Sequence, residues 1–114
     1  MIELPWFPKA CSPNARSRSH WPKTRAMKKT REWGHAATLA WRGRDHRPLE
    51  GPIDLLLTFY PPVKRDHDDD NLIASTKGFR DGIADALGVN DNAFRTRVQI
   101  GEPVKHGKIV VSLS

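Results

Sequence analysis

Cysteine is nearly absent from this sequence, since Cys11 is the single cysteine among 114 residues. One cysteine can form neither an internal disulfide nor a cysteine-based zinc site, and such usage is typical of a reducing compartment. Long hydrophobic runs are missing as well: no apolar stretch approaches the ~18 residues of a membrane span. No cationic start is followed by the apolar core of a signal peptide. These absences predict a cytoplasmic protein with no membrane partner.

Acidic residues are scarce in the first part of the chain. Residues 1–47 contain eleven Lys and Arg against three Asp and Glu, a net charge of +8, whereas the remainder carries −2. The length favours one domain over residues 1–114. A basic segment joined to a compact acidic cluster suits an enzyme that holds a polyanion, above all nucleic acid, and cuts or joins it with a metal ion.

The acidic cluster lies within residues 64–71 and has two interpretations. Its four carboxylates, Asp66, Asp68, Asp69 and Asp70, repel one another unless a cation or hydrogen-bond donors offset their charge. Hard oxygen ligands favour Mg²⁺ or Mn²⁺ over zinc. The same residues directly before an apolar-periodic run are also typical of a helix N-terminus. Both interpretations can hold together, because one carboxylate can cap while its neighbours face a cation.

The hydrophobic pattern predicts an α+β fold, with a small mixed or antiparallel sheet of about four strands packed with two main helices. The predicted strands are Met1–Phe7, Ile53–Tyr60, Phe94–Ile100 and Lys108–Leu113, and the predicted helices are Lys23–Arg42 and Asn71–Leu87. Because the last two strands are joined by a short turn, we expect them to form an antiparallel hairpin.

Several side chains of the predicted helices can be assigned to a face. Trp33 and Trp41 fall on the apolar stripe of the first helix, which favours core packing over base stacking. In the second helix, Lys77 lies two turns after Asp70, so both are expected to point the same way. Gly78 and Gly82 would permit a bend or close packing, and Gly88 is expected to end the helix. Asp81 and Asp85 are expected to be solvated or paired with Lys77, without a catalytic role.

The order of these features resembles the RusA family of Holliday junction resolvases, which are common in phages and prophages. Residues 4–8 (Leu-Pro-Trp-Phe-Pro) are similar to that family's opening strand end. The basic helix, the central strand and the Asp-x-Asp-Asn motif at 68–71 follow in family order, then Asp85-Ala86-Leu87 and Val89-Asn90-Asp91. The resemblance covers most of the chain and implies a homodimeric, Mg²⁺-dependent endodeoxyribonuclease, with Mn²⁺ as a substitute, that resolves four-way DNA junctions by paired symmetric nicks in recombination and repair.

Carried over residue by residue, the resemblance makes Asp68, Asp70 and Asp91 the metal ligands and Lys77 the assisting lysine. The sequence departs from the family pattern at four places. His67 stands where the motif usually has Arg, Ala74 stands where the lysine usually lies, Asn90 replaces the first of a usual Asp pair, and Asp66 is unmatched.

The spacing of the expected ligands raises a geometric question. A straight helix over residues 71–87 advances ~25 Å, and the four residues to Asp91 return only ~13 Å. Either the helix starts late, around Lys77 after an irregular acidic loop, or Asp91 completes the site of a partner subunit. We favour the late start over the partner site.

Basic side chains on several predicted elements are expected to contact DNA phosphates without reading sequence. These residues are Arg16, Arg18, Lys23, Lys28, Lys29, Arg65, Arg95 and Arg97. Two alternatives stay open on the sequence alone. One is a non-catalytic basic nucleic-acid-binding module whose acids only cap a helix, and the other is a basic interaction or structural protein of a phage.

Overall fold

The structure is a computed structural model that describes residues 1–8, 11, 20–43, 52–64 and 69–113, with residues 20–23 described as backbone only. Four strands form one sheet: β1 (Ile2–Pro5), β2 (Ile53–Tyr60), β3 (Phe94–Ile100) and β4 (Lys108–Leu113). Three α-helices accompany them: α1 (His20–Arg42), α2 (Asp69–Ser75) and α3 (Lys77–Leu87). The predicted α+β class is therefore confirmed. No helix in the described part of the chain is long and apolar enough to cross a membrane.

Strand β2 lies inside the sheet, whose strand order is β1-β4-β2-β3. It pairs in parallel with β3, with Ile53 opposite Phe94, and antiparallel with β4, with Leu57 opposite Val111. Alternate residues of β2 are buried and half-buried, the pattern of a strand with one face against a core. The bounds predicted for β2, β3 and β4 are confirmed, whereas β1 is shorter than predicted.

The predicted hairpin of β3 and β4 is wrong, because these strands lie on opposite sides of β2. The connecting segment crosses the end of β2. Within this segment, the Gly101 amide donates to the Phe59 carbonyl at 2.8 Å, and the Val104 amide donates to the Pro61 carbonyl at 2.9 Å. Since β2 is the most apolar strand, placing it between two neighbours buries more of its surface than a separate hairpin would.

The helices form a single layer on one face of the sheet. The shared core contains Leu55, Leu57 and Phe59 of the sheet together with Phe79 and Ile83 of α3. Trp33 packs against this core and stacks on Phe79 with ring centroids 6.4 Å apart, as predicted.

Trp41 is 45% exposed, so its predicted place in the core is wrong. The inward stripe of α1 advances in steps of four residues through Thr30, Gly34 and Thr38 to Arg42. No residue of α1 after Thr38 is buried, so Trp41 lies beyond the part of the helix that packs on the core.

Helices α1 and α3 touch backbone to backbone, which glycine permits. A β-carbon on Gly78 would lie 2.9 Å from the carbonyl oxygen of Met27, and one on Gly82 would lie 2.8 Å from the amide nitrogen of His35. Of the two roles predicted for these glycines, close packing is the one observed.

Candidate metal and nucleic-acid site

Asp70 lies in the first turn of α2, and its side chain is exposed. Asp69 shares that turn, where the helix dipole favours negative charge. The N-terminal position predicted for this acidic cluster is thus confirmed for these two residues. Asp66, Asp68 and Arg65 fall outside the described residues, so the structure places only one of the two acids of the motif that are expected to bind metal.

The helix predicted over 71–87 is interrupted at Thr76, whose backbone (φ −104°, ψ 12°) leaves the helical conformation and whose amide bonds to the carbonyl three residues back. The Ser75 hydroxyl donates to the Asn71 carbonyl at 2.7 Å, and the Thr76 hydroxyl donates to the Ile73 carbonyl at 2.9 Å. Such back-bonding competes with the helical ladder and bends helices. The helix that ends at Leu87 does begin at Lys77, but the irregular loop expected before it is wrong for residues 69–75, which form α2.

The carbonyl oxygen of Ile73 is the centre of this break. It accepts from the Thr76 amide at 3.1 Å, in addition to the Thr76 hydroxyl. A third donor is the Nη2 atom of Arg80, at 2.8 Å. Arg80 lies on α3, so its side chain joins the last turn of α2 to the next helix.

Asp91 begins a short 3₁₀ helix, Asp91–Ala93, that leads into β3, and its side chain is exposed. Gly88 ends α3 in the left-handed conformation with φ 72°, as the sequence predicts. The side chain of Asn90 accepts a hydrogen bond from the Asn92 amide at 3.0 Å. Where the RusA pattern has a carboxylate, this chain therefore has a residue that caps the turn.

The Arg80 side chain interacts both with α2, through a hydrogen bond, and with Asp91, through its charge. Burial lowers the pKa of Arg80, and the charges of Asp81 and Asp91 oppose that shift. Asp91 thus lies close enough to act on a guanidinium that is hydrogen-bonded to α2. In addition, α2 packs against β3, and α3 packs against the 3₁₀ helix.

The length of α3 is compatible with an approach of Asp91 to α2 of its own chain. The eleven residues of α3 span only ~16 Å, whereas the unbroken helix considered above would span ~25 Å. A fully extended segment from Leu87 to Asp91 spans at most ~13 Å, so it can bring Asp91 back toward the junction of α2 and α3, whereas Asp70 lies at the other end of α2.

Lys77 is the first residue of α3, and its amine lies 3.3 Å from the carboxylate of Asp81. The spacing argument that aligned Lys77 with Asp70 does not hold, because the helix is not continuous between them. Asp81 is paired with Lys77, as predicted. Asp85 instead accepts from the Nε atom of Arg31 at 2.8 Å, and this hydrogen bond raises the pKa of Arg31.

The expected DNA-contacting cations occupy two faces of the molecule. Lys28 and Lys29 are exposed on α1, on the helical side, and the Lys29 amine lies 5.3 Å from the Trp33 ring centroid. Arg95 and Arg97 are exposed on β3 and point away from the core. Arg16 and Arg18 lie outside the described residues, and Lys23 is described as backbone only. Among the described cations, the structure does not form one basic surface.

Arg95 and Arg97 differ in their surroundings. Arg95 lies opposite Asp54 of β2, and its Nε atom is 3.5 Å from that carboxylate. Arg97 lies opposite Leu56. An exposed ion pair at this distance is weak, but it partly neutralises Arg95, so Arg97 is the stronger candidate for a phosphate contact.

The described residues contain two of the three carboxylates expected to bind metal, Asp70 and Asp91. Within the described ranges, no three His, Cys, Asp or Glu side chains form a group that could hold a metal ion. Asp70 and Asp91 nevertheless offer the ligand chemistry that Mg²⁺ takes, since this ion commonly binds one or two carboxylates and retains water. The chemistry of these two side chains therefore suits Mg²⁺.

Arg80 is the residue that sequence reasoning missed. The one available signal was its place beside Phe79 and three residues before Ile83, at the border of the apolar stripe. An arginine at such a border can extend its stem along the core and deliver its charge elsewhere. Nothing in the hydrophobic pattern indicated that the guanidinium would bond to the Ile73 carbonyl or interact with the charge of Asp91.

Comparisons with known proteins give one informative relative. An uncharacterized protein of Xylella fastidiosa is 42% identical over 119 aligned positions, which cover 99% of this chain and 74% of that protein. The chain belongs to the same family as this Xylella protein. No protein-family profile matches the chain. Membership in this family leaves the activity open, because the relative is itself uncharacterized.

Proposed function

We propose that this protein is a Mg²⁺-dependent, structure-selective endodeoxyribonuclease that resolves four-way DNA junctions, as the resemblance to RusA resolvases implies. The observation that carries the proposal is the link through Arg80. Its side chain hydrogen-bonds to α2, which bears Asp70, and lies within the electrostatic reach of Asp91. Arg80 thereby connects the surroundings of two exposed carboxylates, Asp70 and Asp91, which are distant in the sequence.

The residues would divide the work as follows. Asp70 and Asp91, with Asp68, would bind Mg²⁺ through their carboxylate oxygens. When bound, the ion activates water and stabilises the leaving oxygen in phosphodiester hydrolysis. Lys77 would leave its pair with Asp81 to neutralise charge on the scissile phosphate. That exchange is accessible because the Lys77 side chain is 57% exposed and surface ion pairs are worth little.

The outer edge of β3 supports the homodimer that symmetric nicking needs. Strand β3 stands at the end of the sheet, and no described strand pairs with its outer edge. Such an edge presents unpaired backbone groups that a second copy could use. A two-fold dimer would present two equivalent sites to the two opposed strands of a junction.

The decisive experiment is cleavage of a synthetic four-way junction by the purified protein, with linear duplex of the same sequence as the control. We expect paired symmetric nicks in the junction with Mg²⁺, none with EDTA, and little cutting of the duplex. Binding of the junction without cutting would replace the proposal with the non-catalytic binding module. Indifference to DNA would remove both.

A second prediction concerns the basic face of β3. Replacing Arg97 with Gln should weaken junction binding for all sequences alike, because a phosphate contact carries no base information. The salt dependence should also fall, with the slope of log K against log[salt] reduced by ~1. The measurement is a titration by fluorescence anisotropy at several salt concentrations, in EDTA so that no cutting occurs.

The matched control for Arg97→Gln is Glu102→Gln, an exposed change outside the strand. It removes a negative charge and should not reduce the slope. An unchanged slope in Arg97→Gln would mean that this face of β3 does not contact the phosphates.

A further inference from the structure

Arg80 is a half-buried cation that the proposed cleavage chemistry does not use. Its Nη2 atom donates to the Ile73 carbonyl, whereas its Nε atom is buried and has no hydrogen-bond partner among the described residues. Burying a donor without a partner is unfavourable, and a solvated side chain would avoid that cost. The hydrogen bond to Ile73 favours the observed position.

The hydrogen bond from Arg80 to Ile73 matters because α2 also carries Asp70, an expected metal ligand. Ile73 lies three residues after Asp70, about one helical turn, so fixing the Ile73 carbonyl also fixes the turn that presents Asp70. In an unbroken helix this carbonyl would accept from the Lys77 amide. At the break it accepts from the amide and hydroxyl of Thr76 and from Arg80. Of these three donors, Arg80 is the one that comes from α3, so its side chain ties α3 to the last turn of α2.

We infer that Arg80 is a positioning residue, which holds α2 and its Asp70 in a fixed relation to Asp91. The inference rests on the proposed function, since it assigns a role within the same site. In this role Arg80 would act through its hydrogen bond to the Ile73 carbonyl, without binding DNA or metal itself. The helix that carries Arg80 packs against the 3₁₀ helix that begins at Asp91.

A role in positioning and a role as a mere charge predict opposite effects on cation binding. A positive charge near Asp91 repels Mg²⁺, so removing the charge alone would tighten cation binding. Removing the hold on α2 would let Asp70 move away from Asp91 and would weaken cation binding. Arg80→Met removes both the positive charge and the hydrogen bond to α2. Arg80→Lys keeps the charge but lacks the planar fork that fixes direction.

Arg42 provides a matched control. It donates from Nη1 to the Ala86 carbonyl at 2.8 Å, another partly buried bond from an arginine to a helix carbonyl, but near the other end of α3. Arg42→Met should thus lower the melting temperature much as Arg80→Met does. Because Arg42 does not join α2 to α3, its replacement should leave the cation response unchanged.

The experiment measures two responses in the wild type and in the variants Arg80→Met, Arg80→Lys and Arg42→Met. One is the half-saturating Mg²⁺ concentration for junction cleavage, and the other is Mn²⁺ affinity of the DNA-free protein by calorimetry. In both Arg80 variants we expect the half-saturating concentration to rise and the affinity to fall ~10–100-fold, the range for residues that orient metal ligands. Arg42→Met should match the wild type in both.

The outcomes separate this inference from the proposed function. If Arg80→Met binds Mn²⁺ as tightly as the wild type or more tightly, Arg80 does not position the carboxylates, whatever the cleavage result. If Arg42→Met is affected equally, the effect reports lost stability and the inference is overturned. If the wild type fails to cut but Arg80→Met still loses Mn²⁺ affinity, positioning is retained and the cleavage proposal fails.

Discussion

Replacing Asp70 with Asn is expected to reduce Mg²⁺-dependent junction cleavage by about three orders of magnitude. Asn keeps the size of the side chain and an oxygen ligand but removes the charge that holds the cation. The loss corresponds to ~4 kcal/mol of transition-state stabilisation, the scale of the charge stabilisation that a bound metal supplies. Asp91→Asn should cause a loss of the same order. The measurement is the single-turnover cleavage rate at saturating Mg²⁺ and excess enzyme.

Asp69→Asn is the control for Asp70→Asn, because both carboxylates lie in the first turn of α2 and both are exposed. Each substitution removes one charge from the same helix end, an effect of ~0.3–1 kcal/mol on stability. If the acids serve only the helix dipole, the two variants should behave alike. We expect their stabilities to be similar and only Asp70→Asn to lose cleavage.

The largest expected effect on stability is that of Gly82→Ala. A β-carbon there would overlap the Arg31 carbonyl oxygen and lie 2.8 Å from the His35 amide nitrogen, so the backbones of α1 and α3 would have to separate. Backbone cannot move aside as the end of a flexible side chain can. We expect a loss of ~3 kcal/mol, or a melting temperature lower by roughly 10–15 °C for a domain of this size.

The control for Gly82→Ala adds a larger group to α1 away from this contact. Ala36 is exposed, and Ala36→Met should change the free energy of unfolding by less than ~0.5 kcal/mol. Thermal unfolding followed by circular dichroism measures both variants. Equal melting temperatures for Gly82→Ala and the wild type would show that the helices are not packed as closely as described.

Elements whose apolar period is regular were predictable from the sequence. In β2 the alternation of Leu55, Leu57 and Phe59 fixes both the strand and its buried face, and the structure agrees. Strand partners were not predictable, because alternation identifies the face that a strand buries but not its neighbours. The hairpin of β3 and β4 was inferred from a short connection, and the connection crosses the end of β2 instead.

The candidate site was only partly predictable for a related reason. Local chemistry indicated Asp70 at a helix N-terminus, and the family resemblance indicated Asp91 just before a strand; the structure has both residues exposed at those places. At Thr76 the backbone leaves the helical conformation, and the hydroxyls of Ser75 and Thr76 bond to helix carbonyls there. Hydrophobic periodicity is insensitive to such bonds, because the apolar stripe from Leu72 through Phe79 continues across the break. The hydrogen bond from Arg80 to the Ile73 carbonyl depends on that break, so it could not be predicted from the hydrophobic pattern either.

The strand order also constrains when the sheet can assemble. Strand β4 separates β1 from β2 in space but follows both in the sequence. During synthesis, β1 and β2 therefore emerge before the strand that joins them, and β1 waits for a partner more than one hundred residues away. Contacts between distant residues are slow to form because loop closure must precede them. Until β4 arrives, the edges of β1 and β2 are open to other chains.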